Sequence, residues 1–277
     1  MKDGFERMRN LRISRTSSCI IAVLTMLVVL SASATSARVL LCFPGGPGST
    51  EQAQPIVDEF LGHLAALTGW DDVNGTYINN MRDCRATMKA HPASVVMVPL
   101  DLFLAERKAW KLTANAALQN EETAGSYHLV ALPGTTMESL SGKVVQTGLK
   151  ASDTFLSKVA FDSKVDVTKS FALERTRSAR KAVKNAVKGT AAAAILNDVQ
   201  FKALQSSAKY SKLTSLLTGP TLPGAIVANT GKKDYTLHKA LLSVCKKHAE
   251  ACKKMRITGF EPVDSGKLST LEKSLNK

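Results

Sequence analysis

Arg38-Val39-Leu40-Leu41-Cys42-Phe43 is a short, unbroken apolar run, and Pro44-Gly45-Gly46-Pro47-Gly48 stops it. A run without polar alternation, ended by turn residues, predicts a strand buried on both faces. Ser49 and Gln52 then form the pattern of a capping box. Ile56, Val57, Phe60, Leu61, Leu64 and Leu67 follow at helical spacing, although Pro55 delays the expected start to Gln54. Tyr77-Ile78 reads as a brief strand. Asn80 caps a helix with Met81, Cys84 and Met88 on one stripe, and Ser94 to Pro99 is a second fully apolar strand. This β-α-β-α-β series predicts an α/β fold with mostly parallel sheets flanked by helices.

Further along, a polar stretch from Thr113 to Gly125 interrupts, and His128 to Leu132 resumes as a strand. Strands are expected at Lys143–Gln146, Ala193–Leu196 and Ala225–Ala228. Helices are expected around Asp153–Ala160, Phe171–Lys188, Thr236–Lys247 and Leu268–Leu275. Gly189 is placed to end the second of these segments, and Gly219-Pro220-Thr221-Leu222-Pro223 punctuates the chain.

With 277 residues the chain is long enough for two lobes and buries about three quarters of its extended surface without a disulfide scaffold. Its 44% apolar and 22% charged residues exclude collagen-like, coiled-coil and wholly disordered classes. At the N-terminus Lys2, Arg7, Arg9, Arg12 and Arg15 precede an apolar stretch from Cys19 to Leu30 and a small-residue string from Ser31 to Ala37. That order is a secretory signal peptide over residues 1–37, which implies a periplasmic or secreted protein. Removing it takes away five cations and two acids, so the net charge falls from +14 to about +11.

Four cysteines remain, Cys42, Cys84, Cys245 and Cys252, an even number that permits two disulfides in an oxidising compartment. Seven residues of unbroken helix span about 10.5 Å, whereas a disulfide needs Cα atoms within about 7 Å. A Cys245–Cys252 bridge therefore requires the helix to break near His248, and Cys42 and Cys84 read more readily as small buried hydrophobes than as a bridge. Neither spacing resembles a metal site. No G-x-S-x-G, H-E-x-x-H or P-loop motif occurs, so nothing proposes an enzyme, a cofactor or a metal.

Leu140-Ser141-Gly142-Lys143-Val144-Val145, Ser152-Asp153-Thr154 ten positions after Gly142, Ala182-Val183 with Val187-Lys188-Gly189, and Leu222 to Ala228 occur in an order that resembles the phosphate/phosphonate-type periplasmic solute-binding proteins of ABC importers. The resemblance implies two lobes joined by two hinge crossings near Leu132 and Leu222, with residues 38–132 plus 223–277 in one lobe and 133–222 in the other. Ligand would lie between them, beyond the carboxyl ends of the strands.

Helix starts offer backbone N–H groups to an anion. The Gly-rich loop carrying Gly46, Ser49 and Thr50 is one such place, with a plain turn as its other reading. Ser152, Asp153, Thr154 and Ser178 match the positions where the family's hydroxyls meet the ligand's oxyanion, and Asp101 follows the strand ending at Pro99. Each of these doubles as an ordinary N-cap. Asp153 and Phe155 stand where the family pattern has a hydroxyl and a glycine, and Asp101 where it has a neutral or aromatic residue. A carboxylate repels bound phosphate, so these departures imply a ligand with a positive group, or a pocket that has lost phosphonate binding.

The expected function is an exported receptor that captures a small polar or oxyanion ligand between two lobes. Its partners would be that small molecule and an ABC permease or membrane sensor, with no nucleic acid and a monomeric state. Two alternatives stay open: a basic protein that binds polyanions or a membrane surface on the same fold, and a degenerate member without ligand. The first rests on Arg175, Arg177, Arg180, Lys181, Lys184 and Lys188, which fall in one segment.

Overall fold

A computed structural model describes residues 36–44, 46, 48–119, 125–208 and 210–275. The expected signal peptide lies outside the described residues except for Ser36 and Ala37, as do Gly45 and Pro47 of the Gly-rich loop.

Strand β1 (Ser36–Cys42) pairs in parallel with β2 (Asp72–Ile78) on one side and β3 (Val95–Pro99) on the other. Helices α1 (Thr50–Thr68) and α2 (Met81–Ala90) make the crossovers. Strands β4 (Leu112–Gln119), β10 (Ala225–Thr230) and β11 (Gly259–Pro262) complete a six-stranded sheet in the order β11-β4-β10-β3-β1-β2. The second sheet is five-stranded, ordered β7-β6-β8-β5-β9. It is built from β5 (Tyr127–Ala131), β6 (Val144–Thr147), β7 (Ala172–Arg175), β8 (Ala193–Asn197) and β9 (Thr214–Thr218). Both sheets are mixed. β6 runs parallel to β7 and β8, while β5 and β10, which receive the chain as it changes sheets, run antiparallel to their neighbours.

The apolar run of β1 is buried on both faces, as its sequence demands. Val39 and Leu41 face α1 and α8 (Tyr235–Lys247), joining Val57, Phe60 and Leu241. Leu40 and Cys42 face the opposite way, joining Cys84 and Met88 of α2 and Phe103 of α3 (Leu100–Glu106). This second cluster runs on without a break into the other sheet, through Leu129, Val145, Phe155 and Val159. A separate cluster holds α6 (Ala179–Val187) on the far face of the second sheet.

Several boundaries differ from expectation. Thr113 to Gly125 is no polar interruption, because Leu112–Gln119 is strand β4, sandwiched between β10 and β11. Its Thr-Ala-Asn-Ala-Ala core has weak strand propensity, and the ladder on both edges overrides it. The first crossing therefore falls between Gln119 and Tyr127 and not near Leu132, and β5 hydrogen-bonds within the second sheet. The segment from Thr218 to Ala225 returns the chain to the first sheet, and its Leu222 exchanges backbone hydrogen bonds of 3.0 and 3.1 Å with Gly125. The two crossings thus lie side by side.

The single helix expected over Phe171–Lys188 is two elements. Ala172–Arg175 pairs with β6, and α6 begins only after Ser178 caps it through the Lys181 N–H. Helix α1 starts at Thr50 with the Ser49/Gln52 capping box in place and retains Pro55 inside it.

Both permitted disulfides form. Cys42–Cys84 ties the end of β1 to α2 with Cα atoms 5.9 Å apart, and Cys245–Cys252 spans 5.5 Å. The latter closes because α8 ends at Lys247 and a new helix, α9 (Ala249–Lys254), begins after the turn at His248.

Candidate functional site

A cleft of about 650 Å³ lies between the sheets. Its walls are the carboxyl ends of strands and the segments that follow them: Leu41 and Phe43 after β1, Tyr77 at β2, Pro99 and Asp101 at β3, and Leu118 at β4. From the second sheet come Tyr127 at the amino end of the antiparallel β5, Gly148 to Ala151 after β6, Arg177 to Ala179 after β7, and Asn197 with Gln200 at the end of β8 and just after it. Strands order their side chains by pairing and release the chain at their ends, so loops and helix starts are what remain to meet a ligand.

Of the residues singled out in the sequence, Gly46, Asp101 and Ser178 line this cleft. The others stand outside its lining, with their side chains engaged locally. Ser49 Oγ accepts from the Gln52 N–H at 3.4 Å, and Thr50 Oγ1 donates to the Tyr77 carbonyl at 2.8 Å. Ser152 Oγ accepts from the Phe155 N–H at 3.1 Å, Asp153 pairs with Arg175, and Thr154 is exposed. Gly148 instead brings the loop 148–151 against the start of α6. A Cβ there would stand 2.2 Å from the Ala179 nitrogen, so only glycine permits this approach of two backbones.

Tyr77, Tyr127, Lys150, Asn197 and Gln200 are not singled out as site residues by the sequence, and Arg177 and Arg256 stand out there only as members of basic clusters. The two tyrosines end or begin strands whose pairing partners are far away in sequence. Lys150 and Arg177 belong to separate loops that only the pairing of β6 with β7 brings together.

Electrostatically the cleft is two-ended. Lys150 and Arg177 are exposed at its lobe-two rim and form no ion pair among the described residues. On the lobe-one side Lys254 is held by Glu59 at 2.8 Å, next to Arg256. Away from the rim, burial raises the Asp101 pKa above the usual carboxylate range, although backbone N–H groups at the start of α3 oppose it. Burial, and then the Asp101 charge, raises the Tyr127 phenol; burial raises Tyr77 as well.

A carboxyl with a raised folded-state pKa binds protons more readily in the folded state. It therefore favours folding at low pH and loses that contribution as pH rises through its folded value. Asp101→Asn is accordingly expected to raise the melting temperature of the ligand-free protein at neutral pH. The gain should vanish below about pH 4, near the ordinary Asp value. Melting curves across pH check this, and a lower melting temperature at neutral pH would contradict it.

Outside the cleft, His128 is buried with Nε2 3.1 Å from Asp198 Oδ1 and Nδ1 3.2 Å from Thr218 Oγ1. Its ring stacks on Phe201 at 4.2 Å. These contacts join β5, β9 and the helix that opens at Asp198, a packing role.

No protein-family model and no curated protein matches the sequence. Solved structures do. XAC2383 from Xanthomonas citri bound to ATP superposes with a TM-score of 0.67 at 11% identity, over 87% of this chain and 97% of that one. PhnD1 from Prochlorococcus marinus in complex with methylphosphonate gives 0.58 at 12% identity, over 87% and 97%. The periplasmic aliphatic sulphonate binding protein SsuA from Escherichia coli gives 0.57 at 12%, over 88% and 86%. This chain has the type II periplasmic solute-binding fold. The two connections between its sheets meet at the Gly125–Leu222 bridge.

Proposed function

We propose that this protein is an exported solute receptor that holds a small organic oxyanion between its lobes and passes it to a membrane partner, an ABC permease or a sensor. The observation that carries the reading is the cleft, walled by strand ends from both sheets, with Lys150 and Arg177 at its rim beside the Ser178-capped start of α6. Two cations without acidic partners among the described residues, next to a helix N-terminus, favour an anion there. Proteins of the same fold hold methylphosphonate, sulphonate or ATP, which supports an oxyanion and leaves its size open. Ligand contacts from both lobes would favour hinge closure.

Export rests on the N-terminal sequence pattern. No helix among the described residues is long and apolar enough to cross a membrane. The receptor is expected to act as a monomer.

A ligand that binds only the folded protein, at a hundred times its Kd, adds about 2.7 kcal/mol of stability. For a chain of this size that raises the melting temperature by about 5–11 °C. Thermal-shift measurements with phosphate, phosphonates, sulphonates and organic phosphates are therefore expected to find at least one strong shift. One observation favours a second reading: Arg180, Lys181 and Lys184 on α6 and Lys188 at its C-cap are all exposed. If no small anion shifts melting while retention on acidic lipid vesicles falls steeply with salt, the polyanion-binding reading replaces the receptor.

A further inference from the structure

The cleft is too large and too unevenly charged for a bare inorganic oxyanion. At about 30 Å³ per water it holds about twenty waters, and it falls in the roughly 300–1,000 Å³ range of sites that enclose drug-sized molecules. A lone phosphate at Lys150 and Arg177 would leave most of that volume wet and the Asp101 carboxyl unmatched.

The lining residues differ in exposure. The cations Lys150 and Arg177 are exposed. Met97, Leu118 and the phenol of Tyr77 are buried, while Phe43, Ile56, Tyr127 and Asp101 are half-buried. Asp101 stands beside Tyr127, whose phenol its charge affects, and near the crossing, where the Leu100 N–H donates to the Gly224 carbonyl at 3.1 Å. Asn197 and Gln200 also line it, their side-chain oxygens accepting from each other's backbone N–H groups in a capping box.

A guest that satisfies both ends must be anionic at one end and donate hydrogen bonds at the other, with a broad apolar surface between. An alkylammonium would satisfy Asp101, but at the cost of desolvating a full charge among apolar walls. A neutral ring amine or ring N–H avoids that cost, and a flat aromatic ring matches the tyrosine faces.

We infer that the ligand is a nucleoside phosphate, with its phosphate at Lys150, Arg177 and the start of α6 and its base against Tyr77 and Tyr127, donating to Asp101. This rests on the receptor reading and narrows it to one class of anion.

Isothermal titration of the full-length protein, purified and stripped of bound ligand, with AMP, adenosine, methylphosphonate and 2-aminoethylphosphonate separates the possibilities. AMP is expected to bind at least about tenfold more tightly than each of the other three, a difference of 1.4 kcal/mol. Arg177→Ala is expected to weaken AMP about tenfold or more and to leave adenosine unchanged; the same loss for both would overturn the phosphate assignment. If either phosphonate binds as well as or better than AMP, the nucleotide inference fails and the oxyanion receptor stands. If adenosine binds as tightly as AMP, the phosphate end is wrongly placed and the inference fails. If none of the four binds, the inference fails; the receptor reading fails with it only if the wider anion screen is also empty.

Discussion

The double variant Cys42→Ala/Cys84→Ala is expected to lose about 4 kcal/mol of folding stability, the loop-closure value for cysteines 42 residues apart. In a domain of this size that lowers the melting temperature by about 8–16 °C. The bridge ties the end of the central parallel strand β1 to α2, and the loop it closes contains α1 and β2. Opening it in the unfolded chain releases that whole segment. Cys42 also immediately precedes Phe43 and Pro44 on the cleft wall, so the loss should extend to ligand affinity. The Cys245–Cys252 bridge closes a loop of only seven positions, so the Cys245→Ala/Cys252→Ala variant is expected to lose about 2.5 kcal/mol. Urea unfolding of both variants beside the parent measures the difference. A loss below 1 kcal/mol for the first would show that the long bridge contributes little.

Gly219→Ala is expected to cost about 3 kcal/mol or more, at the upper end of overpacking penalties. Gly219 opens the second crossing, and its N–H donates to the Tyr127 carbonyl at 2.9 Å. A Cβ on it would lie 1.7 Å from the Ala160 carbonyl oxygen, in the π-helical turn Leu156–Ala160. Both sides of that contact are backbone, so no rotamer change relieves it. Either the crossing or the turn must move, and the crossing sets where β10 meets the cleft. The variant should therefore melt lower and bind ligand more weakly. A melting temperature within 2 °C of the parent would mean that the contact relaxes at little cost.

Much of lobe one was legible because local chemistry and tertiary packing agree there. The β1 run, the Ser49/Gln52 box, the Asn80 cap and the Val95–Pro99 strand all keep their roles. Where the two disagree, packing prevails. Ala172–Arg175 has helix-forming residues yet becomes strand β7, because β6 offers it a parallel ladder. Leu112–Gln119 is poor in strand formers yet lies inside the first sheet, because β10 and β11 flank it. β2 was reduced to Tyr77-Ile78 because Asp72 to Thr76 runs along the outer edge of its sheet, where polar residues suffice.

At the cleft the division has the same cause. Hydroxyl residues at helix starts are visible in a sequence, but their use is not. Ser152 serves the Phe155 N–H within its own turn, and Ser178, an equally ordinary cap, also faces the cavity. Composition, patterning and caps, which act over a few residues, settled the α/β class, most elements of lobe one and the basic character of the chain. Which strands share a sheet, where the chain crosses, and the meeting of Asp101 with Tyr127 and of Lys150 with Arg177 depend on hydrogen-bond ladders between segments tens of residues apart. Those ladders form only when the whole chain folds, because a backbone pairing across such distances has no local signature.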